Sequence, residues 1–226
     1  MFTGIVQALV PIVDVKDEPN LRRLSIALGP LTDQLALGAS VAVNGVCLTV
    51  TGCGNGVAHF DVIRESLDRS NLGDLAVGRR VNVERSMRHG DEIGGHVVSG
   101  HVTDVATVAE INGRANERVV SFDVDPRWLR FLHYKGFVAL DGASLTISAV
   151  DPARGRFAVS LIPETIARTT LGTVAAGERV NLEIDRETQT IVETVERLFS
   201  DPAWRQRLAL EDAASDSSSG GRWTPM

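Results

Sequence analysis

The sequence predicts an all-β protein: two similar six-stranded barrels in tandem, followed by a C-terminal α-helix. Three observations carry this. The chain repeats itself, its repeats are built of short β-branched runs cut by glycines, and helical periodicity takes over only past Glu187.

The repeat sets the architecture. Residues 38–50 (GASVAVNGVCLTV) lie on 135–147 (KGFVALDGASLTI), with Val41, Ala42, Gly45, Leu48 and Thr49 recurring as Val138, Ala139, Gly142, Leu145 and Thr146. Residues 65–84 lie on 164–183 with half of the positions identical, among them Glu65/Glu164, Arg69/Arg168, Gly73/Gly172 and Val81-Asn82 against Val180-Asn181. Thr3-Gly4-Ile5-Val6 lies more faintly on Ser99-Gly100-His101-Val102. The offset drifts only from 96 to 99, so the chain is a tandem duplication of a unit about 95 residues long.

Within the unit, Val41-Ala42-Val43, Leu48-Thr49-Val50-Thr51, His59-Phe60-Asp61-Val62 and Arg80-Val81-Asn82-Val83-Glu84 read as strands. Gly45, Gly54-Asn55-Gly56, Gly73 and Gly78 punctuate them. Short strands at this spacing suit a closed barrel, which leaves no sheet edge exposed. Ser66 to Leu72, and Thr165 to Leu171 in the copy, show no alternation and read as one short helix. A linker is expected near 86–96, giving barrels over 1–96 and 97–186. From Glu187 to Phe199 the residues Ile191, Val192, Val195, Leu198 and Phe199 recur at helical spacing, and Glu193 and Arg197 sit four apart. Asp201-Pro202 reads as the N-cap and first residue of a second short helix carrying Trp204 and Leu208. The apolar stripe of this segment, 187–211, packs either on copies of itself in an oligomer or across the second barrel; periodicity leaves both open. Residues 212–226 are too polar to pack and are expected to be disordered.

Composition narrows the function classes. The 226 residues carry 23 Lys plus Arg against 29 Asp plus Glu, a net charge of −6, which disfavours nucleic acid as a partner. No apolar stretch approaches the ~20 residues that span a bilayer. The start, MFTGIVQALV, lacks the basic region and cleavage site of a secretory signal. Two cysteines, Cys47 and Cys53, make neither a disulfide framework nor a four-ligand metal set. A soluble, cytoplasmic, metal-free protein is the expectation.

In a duplication, departures between the copies point to chemistry. Ile5 faces His101, Gly38 faces Lys135, Cys47 faces Ser144, and Ser86 faces Asp185. The second copy thus gains a titratable base, an amine, a hydroxyl and a carboxylate, a set able to handle protons. Each has an ordinary alternative. His101 reads also as a hydrogen-bonded strand residue, Lys135 as a solvated turn lysine, Cys47 as a small buried hydrophobe and Asp185 as a cap. Ser144 in Gly142-Ala143-Ser144-Leu145 does not fit the nucleophile-elbow pattern. His89, Asp91, Glu92, His96 and His101 do not have the spacing of a compact metal set, and a strand–turn reading is preferred there. Gly52-Cys53-Gly54-Asn55-Gly56 is a turn rather than a phosphate cradle, since no helical pattern follows it.

The strings MFTGIV, NGVCLTV, DEIGGHVVSGHV, KGFVALDGASLTI, SLIPETIARTTLG and RVNLEID together resemble the alpha-type riboflavin synthase family, from Met1 to about Phe199 and in family order. That resemblance implies tandem Greek-key barrels and a transferase. The reaction takes two molecules of 6,7-dimethyl-8-ribityllumazine and moves a four-carbon unit between them. Riboflavin and 5-amino-6-(D-ribitylamino)uracil result, with no cofactor and no metal. It also implies a homotrimer in which the N-terminal barrel of one subunit faces the C-terminal barrel of the next, gathered by the C-terminal helices. Lumazine synthase is a candidate partner.

By motif match, the resemblance gives the first barrel Gly4-Ile5-Val6, Cys47-Leu48-Thr49, and Asp61-Val62-Ile63-Arg64-Glu65-Ser66 as ligand contacts. The second takes Gly100-His101-Val102, Ser144-Leu145-Thr146, and Ser160-Leu161-Ile162-Pro163-Glu164-Thr165, with Lys135 at the rim. His101 is the expected proton shuttle, because histidine titrates near neutral pH. Ser144 and Cys47 would activate or hold the nucleophile, and Asp185 and Lys135 would steady charge. Val46 stands where family members often have a second cysteine; it should point to the other face of the strand from Cys47. Two rivals remain. One is a non-catalytic carrier of lumazine or flavin; the chain keeps polar residues in both sites, which disfavours it. The other is a flavin reductase domain, disfavoured because Tyr134 fits no flavin motif and no Rossmann fingerprint is present.

Overall fold

The computed structural model describes residues 1–114 and 117–208. The first barrel is built of β1 (Ala8–Glu18), β2 (Leu21–Ile26), β3 (Ser40–Val43), β4 (Val46–Gly54), β5 (Val57–Ile63) and β6 (Arg80–Arg85). They close in the order β1-β2-β5-β4-β3-β6, all neighbours antiparallel. The second repeats it with β7 (Asp104–Arg114), β8 (Glu117–Asp123), β9 (Phe137–Leu140), β10 (Ala143–Asp151), β11 (Arg156–Leu161) and β12 (Arg179–Ile184). Its order, β7-β8-β11-β10-β9-β12, is the same ring. The two closed barrels of the sequence reading are therefore present, with β1 and β2 added ahead of the strands it named.

Alternation explains the walls. In β5 the buried Ala58, Phe60 and Val62 alternate with more exposed neighbours, and inward rows of this kind from all six strands fill the barrel. Phe60, Ile12, Leu24, Ile26 and Val41 form one packed cluster. The register shifts at Ile12/Asp14 and Val50/Gly52 recur at Val108/Glu110 and Ile147/Ala149. Bulges at equivalent places bend both sheets into closure.

The helical segments differ from the sequence reading in their bounds. In place of one helix over Ser66–Leu72, α1 (Arg64–Arg69) is followed by a 3-10 turn over Asn71–Asp74, because Ser70 adopts an extended backbone and caps the turn through Leu72 N–H. The copy has α3 (Pro163–Arg168) and a turn over Thr170–Gly172. A short α2 (Pro126–Leu129), capped by Asp125, went unpredicted. Arg22 donates to the carbonyls of Leu72, Gly73 and Leu75, and Arg118 to those of Gly172 and Val174, so each post-helical turn is clamped to its own barrel.

The barrels meet through polar contacts about a pseudo-two-fold axis. The turns Asn44-Gly45 and Asp141-Gly142 both have left-handed φ and lie against each other, a Cβ on Gly45 falling 2.6 Å from Gly142 N. Asn82 Nδ2 donates to Asp141 O, and Asn181 Nδ2 to Asn44 O. Reciprocally, Asn71 N donates to Asn181 Oδ1 and Thr170 N to Asn82 Oδ1. All four asparagines and Asp141 are buried, so mutual hydrogen bonding offsets their desolvation. Phe2 and Val98 exchange backbone bonds in a further bridge across the same seam.

The segment expected as a linker near 86–96 is not free. His96 is buried, and Gly95 packs so closely that a Cβ there would lie 2.6 Å from Ser144 Cβ. The described residues from Glu187 to Leu208 form a separate unit. There α4 (Arg186–Ser200) exposes Ile191, Val195, Leu198 and Phe199, and residues 202–208 form the second helix, with Asp201 Oδ1 accepting from Ala203 N–H as its cap. No described helix is long and apolar enough to cross a membrane. The expectation for 212–226 lies outside the described residues.

Candidate active site

Each pocket is built from both barrels. The starting point is a buried glutamate at the end of each barrel. Glu84 on β6 accepts hydrogen bonds from Thr3 N, Thr3 Oγ1 and Gly4 N at 2.6, 2.8 and 3.1 Å. Glu183 on β12 accepts from Ser99 N, Ser99 Oγ and Gly100 N at 2.7, 2.7 and 3.1 Å. Burial pushes the Glu84 carboxyl above the ordinary carboxylate range, while the Thr3 and Gly4 donors pull it down. These two glutamates pin the Thr-Gly and Ser-Gly turns of their own units. The residues that follow reach the opposite barrel.

Gly100 O accepts from Cys47 N at 2.9 Å, and Gly4 O from Ser144 N at 2.8 Å. Consequently a cavity of about 280 Å³ is lined by Val46, Cys47, Glu65, Ser66, Arg69 and Ser70 of the first unit with Gly100, His101 and Val102 of the second. Its counterpart, about 310 Å³, is lined by Gly4, Ile5 and Val6 of the first unit with Ala143, Ser144, Ile162, Glu164, Thr165, Arg168 and Thr169 of the second. This corrects the assignment by barrel: Gly4-Ile5-Val6 belong with Ser144, and Gly100-His101-Val102 with Cys47. The physical reason is the pinning by Glu84 and Glu183, which leaves each turn's free carbonyl facing the other barrel's strand. Val46 packs into the first barrel's core with Leu48 and Val50, whereas Cys47 lies against Phe2, Ala42, Val98 and Ala139, so the two side chains point to opposite faces of β4, as expected.

The proton-handling set of the second copy is likewise divided. His101 is exposed at the rim of the Cys47 pocket, whereas Ser144 lies in the other one. Lys135 has φ +65° in a turn and its ammonium lies over the Tyr134 ring, 5.3 Å from the centroid, outside the residues lining either cavity. Leu48, Leu145, Val62 and Leu161 are buried in the barrels, while Thr49, Thr146, Ile63, Arg64, Ser160 and Pro163 are exposed and line neither cavity. Asp61 pairs with Arg23 at 3.2 Å.

One functional candidate was set aside in the sequence. His96 Nδ1 and Ser144 Oγ are 2.7 Å apart, and the imidazole stacks on Phe137 at 5.1 Å between centroids. Burial lowers its affinity for a proton and the nearby Asp185 carboxylate pulls the other way. The only sequence signal was the glycine pair ahead of it, Gly94-Gly95, which marks a close backbone approach. Glu84 and Glu183 were visible only as an identity within the repeat.

Residues 3–86 and 99–185 each match the Lumazine binding domain family. The riboflavin synthase of Escherichia coli (strain K12) is 48% identical over 202 residues, covering 88% of this chain and 94% of the relative. That of Chlamydia pneumoniae is 43% identical over 201 residues, covering 88% and 98%. Among solved structures, LumP complexed with riboflavin superposes with a TM-score of 0.77 at 24% identity, over 82% of this chain and 100% of that one. LumP complexed with 6,7-dimethyl-8-(1'-D-ribityl) lumazine gives 0.72 at 25%, over 81% and 98%. With both of its repeats matching the lumazine-binding domain and 48% identity to a riboflavin synthase over 88% of its length, the chain belongs to the riboflavin synthase family.

Proposed function

We propose that each pocket holds one 6,7-dimethyl-8-ribityllumazine and that the chain moves a four-carbon unit from one to the other, giving riboflavin and 5-amino-6-(D-ribitylamino)uracil. The observation that carries this reading is the pair of equivalent cavities with different polar equipment, His101 and Cys47 in one, Ser144 backed by His96 in the other. Two copies of one substrate need equivalent binding shapes, yet one must donate carbons and the other accept them, so the chemistry at the two must differ.

The two substrates together contain every atom of the two products, so no external donor or oxidant is required. The substrate ring delocalises the anion left when its 7-methyl group loses a proton. Protein groups therefore have two tasks, to bring the rings together and to move protons. Positioning alone supplies several kcal/mol, of the ~7–11 available to well-oriented reactants. His101, exposed at its cavity rim, takes and returns the methyl proton. In this reading Cys47 and Ser144 activate or hold a nucleophile adding to the ring. Asp185 and Lys135 steady charge around the intermediate.

The strand ends around Thr49 and Thr146 offer backbone amides and hydroxyls to the pyrimidine edge. In this reading the barrels, 1–96 and 97–186, are the ligand-binding units, and 187–211 gathers three copies so that the first barrel of one subunit faces the second barrel of the next. The unpaired Cys47 and Cys53 suit the reducing cytoplasm.

Purified protein incubated with 6,7-dimethyl-8-ribityllumazine alone tests this. Riboflavin and the uracil product appear in equal amounts if the reading holds. A protein that binds the chromophore and makes neither is a carrier.

A further inference from the structure

The two pockets are equivalent in shape but not in how an imidazole reaches them. In the first, His101 stands at the rim itself. In the second, the equivalent place is taken by Ile5, an alkyl chain with no proton to give or take. Yet this pocket has an imidazole one atom behind its wall. Ser144 is held on three sides. Its N–H donates to Gly4 O at 2.8 Å, a Cβ on Gly4 would fall 2.5 Å from its Cβ, and one on Gly95 would fall 2.8 Å from its Oγ. The fourth direction is filled by His96 Nδ1 at 2.7 Å from Oγ.

His96 is 7% exposed and lies flat on Phe137, which fixes its ring plane. A serine needed only for packing would require no such partner, and a histidine needed only for packing would not be held at hydrogen-bond distance from a pocket hydroxyl.

We propose that His96 is a positioning residue of the second pocket, holding the Ser144 hydroxyl on the bound ring and taking up that hydroxyl's proton in a two-step relay. This rests on the reading of the pocket as a lumazine site. In the relay Ser144 Oγ accepts a proton from the substrate as its own proton passes to His96 Nδ1. The substrate is left one proton poorer, Ser144 unchanged, and His96 as imidazolium; the reverse transfer restores all three when products form. The charged groups around the relay fit it. Asp185 acts on the imidazole and favours the imidazolium, Glu84 lies behind the Thr3-Gly4 turn, and Glu164 and Arg168 line the pocket. Burial disfavours the imidazolium against the pull of Asp185.

The test uses the full chain with His96→Gln, Ser144→Ala and the double variant, reading kcat, KM and the pH–rate profile for riboflavin formation. Glutamine keeps the bulk and one hydrogen bond but takes no proton. The expected result is a kcat about tenfold to a hundredfold lower with KM changed far less, loss of one limb of the pH profile, and a double variant no slower than Ser144→Ala. Parental kcat and pH profile in His96→Gln, or losses that multiply in the double variant, overturn the proposal. If His96→Gln does not fold, Ser144→Ala reads the same relay: its profile loses the same limb, and a retained limb overturns it. Failure of the parental protein to form riboflavin from lumazine is a separate result, and it removes the functional reading itself.

Discussion

Gly100 lies against Cys47 so closely that a β-carbon on the glycine would sit 2.6 Å from the cysteine's own Cβ and 2.8 Å from the Phe2 ring, at a backbone φ of +82°. No L side chain fits there without moving the strand that carries Cys47. Gly100→Ala should therefore destabilise the fold by about 1–3 kcal/mol and distort the His101 pocket. Gly54→Ala, where a Cβ meets nothing within 4 Å, should stay within about 0.5 kcal/mol of the parent. Urea unfolding of both variants checks this; equal midpoints would mean that the seam between the barrels yields freely.

His101 shares its cavity with Cys47 and not with Ser144. His101→Ala should lower kcat by about a hundredfold, the usual scale for loss of a positioned proton shuttle. Its effect should couple to Cys47→Ser, with which it shares a cavity. Rates of the two single variants and their double variant decide this. Losses that multiply independently in the double variant would mean that the two side chains do not act as a unit.

How much of this was legible follows from what kind of contact each feature depends on. The barrels could be read because β-branched alternation and turn glycines are local, and duplication showed each signal twice. Gly4 and Gly100 could be read as matched positions, but not as crossing to the opposite barrel. That crossing depends on Glu84 and Glu183 pinning turns 80 or more positions away, and sequence spacing carries no such distance. His96 escaped for the same reason. Its partner Ser144 is 48 residues on, and a histidine among other histidines invites comparison with metal ligands before hydroxyls. Asp141 aligns with Asn44 in the repeat, and only packing shows it enclosed.

The helix α4 carries Ile191, Val195, Leu198 and Phe199 on its surface. If these side chains gather three copies, a chain ended at Asp185 should elute from gel filtration at about a third of the parental mass, and riboflavin formation should fall with it, since facing barrels from different subunits would no longer meet. Unchanged elution would assign the assembly to the barrels alone.

Asp141 is a fully enclosed carboxyl in the polar seam between the barrels, standing where the first unit has Asn44. Its Oδ1 accepts from Asn71 Nδ2 and Asn181 N, and its Oδ2 from Thr170 Oγ1. These donors favour the carboxylate, but complete burial outweighs them and pushes the pKa from 3.8 up to about 6. A folded-state pKa above the unfolded one means that the native protein binds this proton more tightly. The contribution of Asp141 to stability is thus fully present below about pH 4 and is lost as pH rises to 6, by about 3 kcal/mol for a shift of this size. Asparagine imitates the protonated acid at every pH. Asp141→Asn should match the parent at pH 4 and exceed its stability at pH 8 by about 1–3 kcal/mol, the lower figure applying if the Thr170 hydroxyl is left without an acceptor. Urea midpoints at pH 4, 6 and 8 measure this, and the difference between variants cancels every other titrating group. Parallel curves across that range would show that the seam holds the charged carboxylate without cost.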